Sequence, residues 1–120
     1  AHTGQEAIGA RMKLLEKNGC ERVVHPAEVL EAAARWTPEL SSSKRANCLH
    51  VLGATGAPDN AIRVTMRDPF GEVVASPPPS NDIEFLYCGE RGGPHPIDFE
   101  PTGGDLYTIA GVDCPRPRGR

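Results

Sequence analysis

IRVTMRDPFGEVVA, residues 62–75, decides the fold. Ile62, Val64 and Met66 alternate with Arg63, Thr65 and Arg67. A period of two puts the apolar side chains on one face and the polar ones on the other, as in a strand with one buried face. Asp68-Pro69-Phe70-Gly71 follows with turn chemistry: Asp suits the first position, Pro presets φ at the second, and Gly closes the turn. Residues 72–75 then return as the partner strand of a β-hairpin.

Working downstream, 77–79 is a run of three prolines that cannot join a central strand and reads as a stiff loop. Residues 83–88 suit a strand, 89–96 a turn, 97–99 a short strand and 101–105 another turn. Residues 106–112 form a near-continuous apolar run, expected as a central strand buried on both sides. Upstream, 48–54 reads as a strand and 53–60 as a connection in which Gly53 and Gly56 take turn positions of positive φ. Short strands separated by turn chemistry predict a mostly β chain, an antiparallel β-sandwich of jelly-roll or Ig-like type. No internal repeat is visible.

The N-terminal third has a different period. Residues 3–18 read as an α-helix, with Thr3 and Glu6 as a capping box, Ile8, Met12 and Leu15 on one face, and Gly19 at the C′ position. Its expected role is packing. Residues 21–25 suit a short strand. Two readings stay open for 27–40: a helix built on Glu28 to Arg35 and ended by Pro38, or an irregular edge strand. Residues 41–47 are a polar loop.

The chain has 120 residues, a formal charge of -3, 38% hydrophobic residues, 13 Gly and 12 Pro. That suits one domain over 1–120 with a modest core, the sandwich lying within 45–112 and the helix ahead of it. The mixed, near-neutral charge gives no electrostatic footprint for nucleic acid. Arg116, Arg118 and Arg120 read as a frayed end. No apolar run suits a membrane-spanning helix and no signal-peptide pattern is present, so membrane insertion is not expected, and an exported protein would have its signal removed or lying elsewhere. Cys20, Cys48, Cys88 and Cys114 form no CxxC pair. Four widely spaced cysteines in a small domain predict two disulfides, hence an extracytoplasmic location, and leave three pairings open. A bridge closing about 40 residues contributes about 4 kcal/mol in the chain-entropy account.

Motifs that could carry chemistry are sparse. VLGATGAP resembles a dinucleotide-binding turn, but the third glycine is missing and an alternating strand, not a helix, follows. His2, His25, His50 and His95 form no HxH or HxxxH pair; a metal site needs distant residues to converge, such as His25, His95 and Asp98. No GxSxG elbow occurs, and oxidised cysteines cannot act as nucleophiles. Asp98 and Glu100 share a strand face that alternation assigns to solvent. No catalytic residue, metal or cofactor is expected. Phe85, Phe99 and Tyr107 read as core. Trp36 and Phe70 are the candidate binding residues, provided both are exposed on one side; Trp36 has the competing role of covering the core's edge.

The hairpin resembles that of bacterial pre-peptidase C-terminal-type β-sandwich domains, which share an alternating strand, an Asp-x-x-Gly turn and a strand opening with two valines. Gly104-Asp105-Leu106-Tyr107-Thr108-Ile109 is similar to their closing strand, with one residue more between Gly and Tyr. NCLHVLGATG and IEFLYCG resemble related extracytoplasmic sandwiches in which a cysteine opening one strand pairs with one ending another. The resemblance covers about residues 45–112. It implies a secreted or periplasmic bacterial accessory module, and the pairings Cys48–Cys88 and Cys20–Cys114. The calcium some members hold is not carried over, because their acidic cluster has no counterpart here.

The expected function is therefore a non-catalytic binding or assembly module of a secreted or envelope-associated protein. It would meet a protein or carbohydrate ligand through loops at one end. The alternatives are a small metal-dependent hydrolase using His25, His95 and Asp98, and a structural spacer.

Overall fold

The computed structural model describes residues 3–41, 48–89, 91–103 and 106–117. His2, the loop residues 42–47, Gly104, Asp105, Arg118 and Arg120 lie outside them. The chain opens with α1 (Gln5–Lys17). Among the described residues ten strands follow: β1 (Arg22–Leu30), β2 (Ala34–Trp36), β3 (Glu39–Leu40), β4 (Cys48–Ala54), β5 (Ile62–Arg67), β6 (Val73–Ala75), β7 (Asp82–Tyr87), β8 (Gly93–Pro94), β9 (Ile97–Pro101) and β10 (Tyr107–Cys114).

The strands pair as a nest. β5 pairs with β6, β4 with β7, β3 with β8, β2 with β9, and β1 with β10, all antiparallel. The hairpin at residues 62–75 is the innermost fold of this ribbon. Rolling the ribbon adds the lateral pairs β10–β4 and β9–β5. Two four-stranded sheets result, β1-β10-β4-β7 (sheet A) and β2-β9-β5-β6 (sheet B), with β3–β8 as a two-stranded flap. Eight strands in this order form a jelly roll. The expected disulfides, Cys20–Cys114 and Cys48–Cys88, are both present.

Alternation places the core. Leu49, Val51, Ile83, Tyr107 and Ile109 from sheet A meet Ile62, Val64, Met66, Ile97 and Phe99 from sheet B in one buried cluster. The opposite face of sheet A is apolar at its centre too: Leu52, Ala54 and Ala110 pack against Ile8, with Met12 and Leu15 beside them. α1 therefore forms a third layer, and β10 is buried along both faces, as its apolar run predicts. The opposite face of sheet B carries Arg35, Asp98, Arg63 and Glu100 at paired positions.

Several local expectations change. Gly4, not Thr3, is the N-cap of α1; the Thr3 hydroxyl accepts the Gln5 N–H at 3.2 Å, so the capping box does not form. The C-terminal end follows expectation. Gly19 has φ 96, the Cys20 N–H reaches the Leu15 carbonyl at 2.9 Å, and the Gly19 N–H reaches Glu16 at 3.2 Å, which is a Schellman closure. Residues 27–40 take the extended alternative: β1 runs through to Leu30 and β2 and β3 follow, because pairing with β10 and β9 overrides local helix preference. Since β1 belongs to sheet A, the sheets span more of the chain than 45–112. Gly53 is a strand residue facing Ile109 and Ile83, and neither it nor Gly56 has positive φ. Arg116 is not frayed; its guanidinium donates to the Cys88 and Gly89 carbonyls at 3.5 and 3.4 Å.

Candidate interaction site

Ala54 pairs with Asp82, and Ile62 bridges to Ser80, so those residues share one end of the sandwich. The opposite end gathers the start of β4, the ends of β7 and β10, and the Asp68–Gly71 turn. Both disulfides lie there.

The turn is built around one carboxylate. Asp68 is only 5% exposed. Its Oδ1 accepts the N–H groups of Phe70 at 2.9 Å and Glu72 at 3.0 Å, and its Oδ2 accepts Arg91 Nη1 at 2.8 Å. The Gly71 N–H donates to the Asp68 carbonyl at 3.0 Å, and Arg67 Nη1 donates to the Gly71 carbonyl at 2.9 Å. Burial pushes the Asp68 carboxyl up, and the Glu72 and Phe70 N–H groups with the Arg91 guanidinium outweigh it, holding the pKa below the ordinary carboxylate value. Arg91 comes from the segment between β7 and β8, so the ion pair ties two neighbouring loops together.

Phe70 stands on this platform, 75% exposed. The Arg91 guanidinium carbon sits 4.5 Å from its ring centroid, a cation–π contact. Arg91 therefore holds both the carboxylate that shapes the turn and the ring the turn presents. Val73, just past the turn, is half exposed. Behind the tip, burial pushes the Tyr87 hydroxyl up, with Asp68 adding to the shift and Arg91 opposing it. His95 is fully buried with its ring 5.6 Å from Tyr87. Its Nδ1 lies 2.9 Å from the Gly93 carbonyl, and its Nε2 is buried with no hydrogen-bond partner among the described residues.

Trp36 has a different place. It shares a row with Ile97 and Met66, both buried on the inner face of sheet B. It is half-buried and lies over Gly111 of the facing sheet, where any Cβ would collide with the indole. The His25 ring meets it edge-on at 4.9 Å. Trp36 thus covers an edge of the core, and the two aromatics differ sharply in presentation.

The residues of the hydrolase reading are separately engaged. Both Asp98 oxygens accept from Arg35, at 2.7 and 2.9 Å; these bonds hold its carboxyl below the ordinary value against partial burial. His25 Nδ1 lies 2.8 Å from the Pro26 carbonyl and Nε2 lies 3.4 Å from Glu28. Among the described residues no group of three His, Cys, Asp or Glu is placed to hold a metal. A concavity of about 530 Å³ at the start of α1, lined by Thr3, Gly4, Gln5, Glu6, Thr55 and Gly56, offers no pairing of a nucleophile with a base.

Turn chemistry at Asp68 was visible in the sequence, but its burial was not. Nothing in the sequence singled out Arg91, which lies 23 residues away and meets Asp68 only in the folded chain. Among the described residues no helix is long and apolar enough to cross a membrane. Two disulfides point to an oxidising compartment. Compared with known proteins, the chain matches no family model and no curated protein.

Proposed function

We propose that this jelly roll is a non-catalytic binding or assembly module of a secreted or envelope-associated bacterial protein. It meets a protein or carbohydrate partner through the loops at the Asp68–Gly71 end. The observation that carries this reading is Phe70, an aromatic ring held in the open by a turn built on a buried, fully hydrogen-bonded carboxylate. A ring fixed before contact loses little conformational entropy on binding, which is what makes a good anchor. The Cys48–Cys88 bridge lies at the same end and anchors the start of the segment that carries Arg91. The likeness of residues 62–75 to the hairpin of pre-peptidase C-terminal-type domains is in keeping with an accessory role.

Photo-crosslinking tests it. A benzophenone amino acid replaces Phe70 in one variant and Leu14, exposed at 61% on α1, in another. Each full chain is then irradiated in the compartment where it resides. A discrete adduct from position 70 alone is the expected result. No adduct from position 70, or the same adducts from both positions, would sink the reading and leave the spacer role.

A further inference from the structure

The four cysteines form one row across the end of sheet A. Cys114 of β10 stands opposite Cys48 of β4. Continuing the β4–β7 register one step past Leu49 and Tyr87 sets Cys48 opposite Cys88, and that bridge has its Cα atoms 4.6 Å apart. Cys20, just ahead of β1, reaches Cys114 at a Cα separation of 4.2 Å. Cys20, Cys114 and Val112 pack with Met12 and Leu15, so the row lies on the face that α1 covers. Across the strands the order is Cys20, Cys114, Cys48, Cys88, with one bridge at each end and an unbridged pair between them.

That inner pair is bridgeable. Directly opposite residues of antiparallel strands share a face at about 4.5–5.5 Å between Cα atoms, a spacing a disulfide spans without backbone movement. Access is greatest at the Cys88 end of the row. Cys20, Cys48 and Cys114 are 6%, 1% and 4% exposed, while Cys88 is half-buried.

We infer that this row is a thiol–disulfide exchange site that takes a low-molecular-weight thiol at Cys88 and passes the opening inward to Cys20. The thiolate attacks Cys88 Sγ and forms a mixed disulfide; the Cys48–Cys88 bond breaks and its electron pair leaves on Cys48. The Cys48 thiolate attacks Cys114 Sγ, forming Cys48–Cys114; the Cys20–Cys114 bond breaks, and Cys20 leaves as a thiolate that takes a proton from solvent. A second equivalent of thiol clears Cys88 and departs as the external disulfide. Displacement at sulfur needs an attacking thiolate with access to the bond, and the row sets Cys48 beside the inner sulfur of its neighbour. The exchange replaces the tie between β10 and the segment leading from α1 with a tie between β10 and β4. α1 is then held by the packing of Ile8, Met12 and Leu15 and by the Arg11–Asp82 ion pair, with no covalent tie through Cys20.

The test is a reduction time course on the oxidised full chain. The chain is treated with a small excess of 2-mercaptoethanol, quenched in acid, alkylated and mapped without reduction. Expected is a transient species with Cys48 joined to Cys114, Cys20 alkylated and Cys88 carrying mercaptoethanol. It should exceed the Cys20–Cys48 and Cys88–Cys114 pairings about tenfold or more, as adjacency raises effective concentration. Independent loss of the two native bridges without that species would overturn the proposal. So would comparable amounts of all pairings, the mark of reshuffling in unfolded chains, or Cys88 alkylated with Cys20 carrying the thiol. In a second arm, Cys88→Ser leaves Cys48 free from the start. The folded variant is expected to hold a share of Cys48–Cys114 with Cys20 free, and an intact Cys20–Cys114 bridge throughout would overturn the exchange. If that variant does not fold, the wild-type time course decides.

Discussion

The two sheets share a core but face different surroundings. The centre of sheet A is apolar on both faces, one against sheet B and the other beneath α1. Sheet B is apolar inside and carries Arg63, Arg35, Asp98 and Glu100 outside. Their strands read accordingly. In β10, seven of the eight residues are buried, while β5 alternates buried with more exposed positions. A continuous apolar strand therefore reports a covering layer, and an alternating one reports solvent.

The largest expected effect comes from unstapling sheet A. Replacing Cys20 and Cys114 together with Ser removes the link that closes a separation of 94 residues; the cost is about 2–5 kcal/mol. Denaturant unfolding measures it, and faster hydrogen exchange across Gln5–Lys17 should accompany it. Unchanged exchange in α1 would mean the helix layer does not depend on that staple.

The comparison itself breaks or holds on a pair of alanines. Ile8 is fully buried between α1 and sheet A, so Ile8→Ala should cost about 2–5 kcal/mol by lost burial and a residual cavity. Arg63 is exposed on the open face of sheet B, so Arg63→Ala should stay within about 0.5 kcal/mol. Equal costs would mean that the helix is no true layer.

Much of this architecture was legible. Alternation at 62–67 located the hairpin, and the run at 106–112 located the doubly buried strand. The disulfide pairs came from the resemblance, since spacing alone allowed three. Residues 27–40 were not legible, because Glu28, Ala32, Ala33 and Ala34 favour a helix locally while partners far along the chain, at 97–99 and 107–109, impose extension. The tip was half legible. Asp68 and Gly71 announced a turn, but the exposure of Phe70 depends on Arg91 and on the burial of Asp68, which local pattern does not encode. Trp36 was ambiguous for a similar reason: Gly111, which makes room for it, lies on the facing sheet.

Asp68→Ala should fall between the two alanines above, since it leaves the Phe70 and Glu72 N–H groups without their acceptor. Its signature is in acid. A carboxyl whose folded pKa is depressed contributes stability that is present above its unfolded pKa, about 4, and is lost as pH falls through the folded value. The wild type should therefore lose stability more steeply than the variant below about pH 4. Parallel acid profiles would remove Asp68 as the organiser of the tip.

A modest effect tests the seam between the sheets. Tyr107 is wholly buried in the shared core, and its hydroxyl donates to the Ala32 carbonyl at 2.7 Å, in the connection that carries the chain from sheet A to sheet B. Tyr107→Phe keeps the ring and loses that bond, at a cost of about 1 kcal/mol near neutral pH. Burial, with the Glu28 carboxylate adding, pushes the hydroxyl up to about 12. In the unfolded chain a tyrosine ionises near 10. The folded form therefore retains its proton where the unfolded form has lost it, and this contribution is full below pH about 10 and lost as pH rises through about 12. Denaturant unfolding at a series of pH values should show the advantage of wild type over Tyr107→Phe shrinking across that window. An advantage that stays constant into strong base would mean that the hydroxyl is not held neutral, and that the seam is sealed by the ring alone.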